Sequence, residues 1–203
     1  RIAPRRPRRL DARLRATPIV TRIMRASQAE RVRVGQAFDL VRISLFSARV
    51  DHFVLVARCS LGPRHQTAGR ERYPLTEGCL GQAWENGRAA ETTLPDAGVR
   101  PAQWRDEMGR RWNVPSEVAE RLTMKSRSYV AFRIDGTPGS NPLGVIVFES
   151  LNSLEQIRLP DGKDRCVMDP VELATIVGVD EAARLQGLLE KAGGFYSKIP
   201  PSA

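Results

Sequence analysis

Tyr73 to Asp96 reads YPLTEGCLGQAWENGRAAETTLPD. Thr76-Glu77-Gly78 makes a turn into a short helix, predicted over Cys79 to Glu85. Asn86-Gly87 ends that helix, because glycine takes the left-handed conformation of a helix C-terminus without steric cost. Gly78 and Gly81 carry no side chain, so the backbone there can lie close against a sheet or a ligand. Glu91 to Leu94 reads as a short strand. The stretch is not a phosphate cradle: it is neither G-x-G-x-x-G after a strand nor a loop closing on Gly-Lys-Ser/Thr.

The segments on either side alternate as strands do. Leu40 to Ala48, LVRISLFSA, sets Val41, Ile43 and Leu45 against Arg42 and Ser44. After a turn at Arg49–His52, Phe53 to Ser60, FVLVARCS, is the antiparallel partner, and 61–72 is a loop punctuated by Gly62-Pro63 and Gly69. Downstream, Ser128 to Ile134 places Val130, Phe132 and Ile134 on one face and Tyr129, Ala131 and Arg133 on the other. Asp135 to Pro142 is a Gly/Pro turn, and Leu143 to Ser150, LGVIVFES, is an apolar central strand. Between the motif and this hairpin, two helix-like pieces, Pro101 to Arg111 and Pro115 to Met124, read as a lid over one sheet face. A helix opening at Thr17-Pro18 runs to about Asp39. A second is started by Asp169-Pro170-Val171-Glu172, carries Leu173, Ile176, Leu185, Leu188 and Leu189, and stops at Gly193-Gly194.

The 203 residues are 41% apolar, enough for a core without metal or disulfide staples. The net charge of +9 is concentrated at one end: residues 1–15 hold seven Arg and one Asp, leaving 25 basic and 22 acidic residues for the remainder. Arg1–Arg15 is therefore a basic, poorly ordered arm, for which contact with anionic lipid, contact with nucleic acid or simple solvation are open. Nucleic acid is the least expected of these. The chain begins at Arg1, and an Arg-rich start resembles a segment just cytoplasmic of a membrane span, so the expected location is cytoplasmic, including the cytoplasmic part of an anchored protein. Cys59, Cys79 and Cys166 have no CxxC pairing, which reads as free thiols in a reducing compartment. Only His52 and His65 are available as imidazoles, so no metal and no cofactor is expected.

The order Gly78-x-x-Gly81-x-Ala83-Trp84-x-x-Gly87 closing on Leu94-Pro95-Asp96, followed by Phe-Arg-Ile, a Gly-rich turn and Leu-Gly-Val-Ile-Val-Phe-Glu-Ser, resembles the signatures of GAF domains. With the first two strands the resemblance covers roughly residues 30–195. It implies an α+β fold: a central antiparallel sheet of about five or six strands, terminal helices on one face, and short helices and loops covering a pocket on the other. The expected division is the arm 1–15, a GAF-like domain over 16–195 and a tail at 196–203. The resemblance also implies a homodimer through the terminal helices.

Pocket residues expected from this layout are Trp84, Trp104, Trp112 and Tyr129 for stacking, Arg133 as an anion partner and Asp96 as an acceptor. All three Trp of the chain fall in or beside the motif and lid. Arg58, Arg88 and Arg133 are candidate donors to a phosphate if they point inward. No G-x-S-x-G, HExxH or P-loop is present. Pigment-binding family members attach through Cys-His, and here the residues after Cys59, Cys79 and Cys166 are Ser, Leu and Val. The Asn-Lys-Phe-Asp-Glu signature of cyclic-nucleotide binders is missing. The expectation is a non-catalytic sensory domain for an unknown small molecule, a nucleotide or aromatic metabolite, signalling through its terminal helices. The alternatives are a closed-pocket dimerisation or protein-interaction module, and a redox sensor or free methionine sulfoxide reductase-like enzyme using Cys79, placed at a helix start where a thiolate is favoured.

Overall fold

A computed structural model describes residues 17–25, 40–66, 69–70, 72–136 and 141–153, together with two short strands at 157–158 and 164–165. The helix expected over 169–193, the arm and residues 26–39 lie outside the described residues. Helix α1 (residues 17–25) buries Ile19, Val20, Ile23 and Met24, two residues per turn on one side, as a helix laid on a sheet requires. Strands β1 (Leu40–Ala48) and β2 (His52–Ser60) follow, then one turn of helix, α2 (Pro63–Gln66), and the edge strand β3 (Tyr73–Pro74). Helix α3 (Gly78–Asn86), strand β4 (Arg88–Glu91), helices α4 (Pro101–Trp112) and α5 (Ser116–Arg121), and strands β5 (Ser128–Ile134) and β6 (Gly144–Ser150) complete the main body. The short strands β7 (Ile157–Arg158) and β8 (Asp164–Arg165) pair with each other.

The main sheet has six strands in the order β3-β2-β1-β6-β5-β4, antiparallel throughout. The architecture is the expected α+β one. One face packs on α1, through Ile43, Leu45, Val56, Ala57, Val130, Ile146 and Phe148. The other face carries α3, α4 and α5, over Phe46, Phe53, Leu55, Tyr129, Ala131, Val145 and Val147.

Strand β2 does not alternate strictly. Leu45 pairs with Ala57 but Phe46 pairs with Leu55, so Val56 is one residue too many in β2. The bulge turns both Val56 and Ala57 toward α1 and reverses the phase of the rest of the strand. Unbroken alternation from Phe53 would set Ala57 and Cys59 on the face of α3–α5; instead Arg58 lies there, and Cys59 packs on the α1 side.

Helix α3 ends where the sequence expected. Gly87 adopts φ 83°, and the chain enters β4 at the next residue. The strand therefore comes at Arg88–Glu91, before the predicted Glu91–Leu94, because the left-handed glycine turns the backbone at once into pairing with β5. Gly78 begins the helix at φ 70°. Gly81 is needed for contact: a Cβ there would lie 2.5 Å from the Thr76 carbonyl carbon and 2.8 Å from the Leu75 carbonyl oxygen. The close approach is thus to the turn before the helix.

Helix α4 has proline in its first turn and sets Trp104, Met108 and Trp112 four residues apart, one stripe facing the sheet. It ends in a left-handed cap: Asn113 at φ 50° donates its N–H to the Gly109 carbonyl at 3.2 Å, and Val114 N–H reaches the Met108 carbonyl at 3.1 Å. Among the described residues no helix is long and apolar enough to cross a membrane.

Candidate functional site

Between the sheet and its helical cover lies a cavity of about 440 Å³. Its floor is Arg42 and Phe46 of β1, Arg58 of β2, Val147 and Glu149 of β6 and Tyr129 of β5. One wall carries Gly69, Arg70, Tyr73, Glu77 and Cys79; the other is α4, α5 and the chain leaving α5, with Trp104, Met108, Val118, Leu122, Met124 and Ser126.

The floor carries an ion pair set by strand register. Arg42 and Glu149 are directly opposite on β1 and β6. Arg42 Nε donates to Glu149 Oε2 at 2.6 Å and Nη2 to Oε1 at 2.7 Å, while Ser126 Oγ donates to Oε1 at 3.0 Å. Burial would raise the Glu149 carboxyl, but the Arg42 charge and these hydrogen bonds outweigh it and hold it below the ordinary carboxylate range. Arg42 is likewise held charged: burial opposes the cation and Glu149 more than offsets it. The same row continues across the sheet, since Glu149 pairs with Tyr129 and Tyr129 with Glu91. Burial pushes the Tyr129 hydroxyl well above its usual value, with the nearby acidic groups adding to it, so it stays protonated and donates to Met108 Sδ at 3.3 Å.

A second buried carboxylate, Glu77, is 7% exposed and pairs with Arg70, whose Nη1 donates to Oε2 at 2.9 Å; Arg70 also lies over the Tyr73 ring, 4.8 Å from its centroid. Arg58 Nε donates to Ser44 Oγ at 3.0 Å. Burial, and then the like charge of Arg42, lower its hold on the proton.

Of the residues expected at the pocket, Trp104 and Tyr129 border this cavity. Trp104 is fixed there by donating Nε1–H to the Ser126 carbonyl at 3.0 Å. The other four are placed elsewhere. Trp112, one turn past Met108, packs edge-on against Tyr129 at 4.9 Å and fills core. Trp84, on the outer half of α3, packs edge-on against Phe53 at 5.5 Å. Arg133 lies toward the far end of β5, where it bonds Asp135 at 2.6 Å and the Trp84 carbonyl at 2.8 Å. Asp96 serves a turn: its Oδ1 accepts from Gly98 N–H at 2.8 Å and its carbonyl accepts from Arg100 N–H at 2.7 Å. Of the candidate phosphate donors, Arg58 points in, while Arg88 is exposed on edge strand β4.

Arg42, Arg70, Glu77 and Glu149 were not expected at the site. Arg42 and Glu149 did carry a signal, each being a charge inside an apolar strand, and such charges are retained in a core only when paired.

No protein-family model and no curated protein sequence matches the chain. Its likeness is to solved structures. A type II free methionine-R-sulfoxide reductase from Thermoplasma acidophilum is similar at TM-score 0.50 and 10% identity, over 91% of this chain and 96% of that one. A GAF domain region from Geobacter sulfurreducens is similar at TM-score 0.50 and 13% identity, over 90% of this chain and 95% of that one. The fold is GAF-like. A free methionine-R-sulfoxide reductase from Neisseria meningitidis is also similar, at TM-score 0.45 and 17% identity, over 85% of this chain and 80% of that one.

These neighbours correct one expectation. A non-catalytic domain was expected because no catalytic motif is present, yet a reductase shares the GAF-like fold at the same TM-score as a GAF domain region. The fold accommodates enzymes and binding domains alike, and missing motifs do not exclude catalysis within it. Of the thiols, Cys79 lines the cavity and Cys59 lies on the opposite sheet face; Cys166 is outside the described residues. Burial, followed by the Glu149 charge, pushes the Cys79 thiol far above its ordinary value, which opposes the thiolate expected from its place at a helix start.

Proposed function

We propose that this GAF-like domain binds a small molecule in the cavity over β1, β2, β5 and β6, and that occupancy is passed through the sheet to the terminal helices. The observation that carries the reading is the cavity itself. At about 440 Å³ it is within the range of roughly 300–1,000 Å³ typical of small-molecule sites, and its apolar walls surround a few fixed charged groups. A closed interaction module would fill this space with side chains. Transmission is supported by β1, whose Arg42 and Phe46 face the cavity while Ile43 and Leu45 pack with α1. A homodimer through the terminal helices would then read out the change, as the resemblance implied.

The test is thermal stability and Trp fluorescence against nucleotides, amino acids and aromatic metabolites, with free methionine-R-sulfoxide included because Cys79 lines the same cavity. A ligand at 100 times its dissociation constant adds about 2.7 kcal/mol. For a domain of this size that is a rise of roughly 5–11 °C. The cavity is the site if Met108→Trp, which fills it, abolishes the shift while the variant still melts cooperatively. No shift across the panel would sink the reading; turnover of the sulfoxide with a thiol reductant would make the domain an enzyme.

A further inference from the structure

We propose that the ligand of this cavity is an amphiphilic organic acid: a carboxylate held on the arginine side of the floor, carried by a compact apolar or aromatic body lying against α4 and α5. The inference rests on the reading that the cavity is a binding site, and adds the chemistry of what it takes.

The charge balance of the lining comes first. Four arginines border the cavity, Arg42, Arg58, Arg70 and Arg121, against two glutamates, Glu77 and Glu149, so the walls carry an excess of two positive charges. Both glutamates are already engaged, Glu149 by Arg42 and Glu77 by Arg70, each by two nitrogens. A cationic ligand would have to break one of these buried pairs, at a cost that strongly disfavours it. An anion breaks none.

Position comes second. Arg42 pairs across with Ser60, and Ser44 with Arg58, so the two arginines are diagonal neighbours on the cavity face of β1 and β2. Two guanidinium groups so placed repel each other, and Glu149, bonded to Arg42 by both its oxygens, offsets that repulsion only in part. An oxyanion beside Arg58 relieves that repulsion, and the planar guanidinium fork is suited to a carboxylate. Burial first, and then the like charge of Arg42, weaken the hold of Arg58 on its proton, with Glu149 acting in the opposite sense.

The opposite wall supplies the third observation. Met108, Val114, Val118, Leu122 and Met124 line it, with the Trp104 indole N–H already committed to Ser126. Hydroxyl-rich groups such as a ribose would find few partners there, whereas an aliphatic or aromatic body loses nothing by leaving water. Charge on one side and hydrocarbon on the other therefore select against nucleotides as well as cations.

The experiment compares matched probes by calorimetry: phenylacetate and indole-3-acetate, their uncharged amides, AMP, and inorganic phosphate. The expected result is that one of the two acids binds at least tenfold more tightly than its amide and than AMP or phosphate. Arg58→Gln, which keeps a donor for Ser44, should bring acid and amide to within threefold of each other. Equal binding of acid and amide by the native protein overturns the assignment of an acid while leaving the cavity a binding site, as does tighter binding of AMP or phosphate. If neither acids, amides nor the wider metabolite panel bind, both this assignment and the reading it rests on fall. An acid preference that survives in Arg58→Gln also overturns it, since the anion would then be held elsewhere.

Discussion

Glu149→Gln should be the most costly single-atom change in the cavity floor. The side chains of Arg42 and Glu149 are only 9% and 14% exposed, and two charge-assisted bonds of 2.6 and 2.7 Å join them. Removing one charge from a buried pair leaves the other uncompensated, which costs about 3–5 kcal/mol. The amide still accepts from Ser126, so we expect the lower part of that range. At about 3–4 kcal/mol this is a loss in melting temperature of roughly 6–16 °C for a domain of this size. The assay is urea unfolding followed by Trp fluorescence, repeated for Arg42→Met/Glu149→Leu. That double variant removes both charges and should recover most of the loss, because a buried pair often contributes no more than well-packed apolar groups. The pH dependence has a fixed sign. Glu149 is depressed on folding, so its contribution is fully present above its unfolded value, near the ordinary 4.5, and is lost as pH falls through the lower folded value. The gap between native protein and Glu149→Gln should therefore be constant from about pH 6 to 8 and shrink below about 4.5. A cost under about 1 kcal/mol, typical of solvent-exposed pairs, would refute the placement of this pair in a low-dielectric floor.

Gly81→Ala should destabilise by about 1–3 kcal/mol or more, since its Cβ would meet backbone atoms of the 75–76 turn that no rotamer can move aside. Gly62→Ala, where the nearest atom is 3.4 Å away on the His65 ring, is the control and should change stability little. Cys79, with its thiol held protonated by burial, should react with iodoacetamide at about pH 7.5 far more slowly than free cysteine and reach the normal rate only in denaturant. Fast labelling of Cys79 in the folded protein would show that the cavity wall opens to solvent and stabilises a thiolate.

The layers of this fold were legible because each rests on a local rule. Alternation in LVRISLFSA and SYVAFRI gave β1 and β5 within a residue, and Asn86-Gly87 gave the end of α3, where Gly87 does take the left-handed conformation. The site was less legible. Trp84, Trp104 and Trp112 share a segment of sequence, but α4 turns Trp104 toward the cavity edge and Trp112 into the core, while Trp84 faces Phe53. Arg133 and Tyr129 do share a face of β5, yet four residues of strand separate their side chains along the sheet. The charged floor depends on cross-strand register, which pairs residues 107 apart and leaves no mark in either segment beyond a charge among apolar neighbours.

The bulge in β2 is hidden from sequence patterning, and the proposed function depends on it. Strict alternation would put Ala57 and Cys59 at the cavity and Arg58 toward α1, giving a floor with one fewer charge and two thiols on one face. One extra residue at Val56 reverses this, so adjacent residues now serve opposite faces: Val56 and Ala57 pack with Ile19, Val20 and Ile23 of α1, and Arg58 enters the cavity. A bulge is also where a strand bends most readily, because its ladder is locally broken. A ligand that draws on Arg58 therefore acts beside a point of the sheet where a small displacement reaches the packing of α1 within two residues. For such a ligand to signal, it must bind one arrangement of α1 more tightly than another, and the coupling it delivers is limited to that difference in affinity. Deleting Val56 would restore strict alternation with Arg58 still facing the cavity and Ala57 still facing α1, so it would keep the charged floor while removing the flexible point beside it, and would separate ligand binding from its transmission to α1.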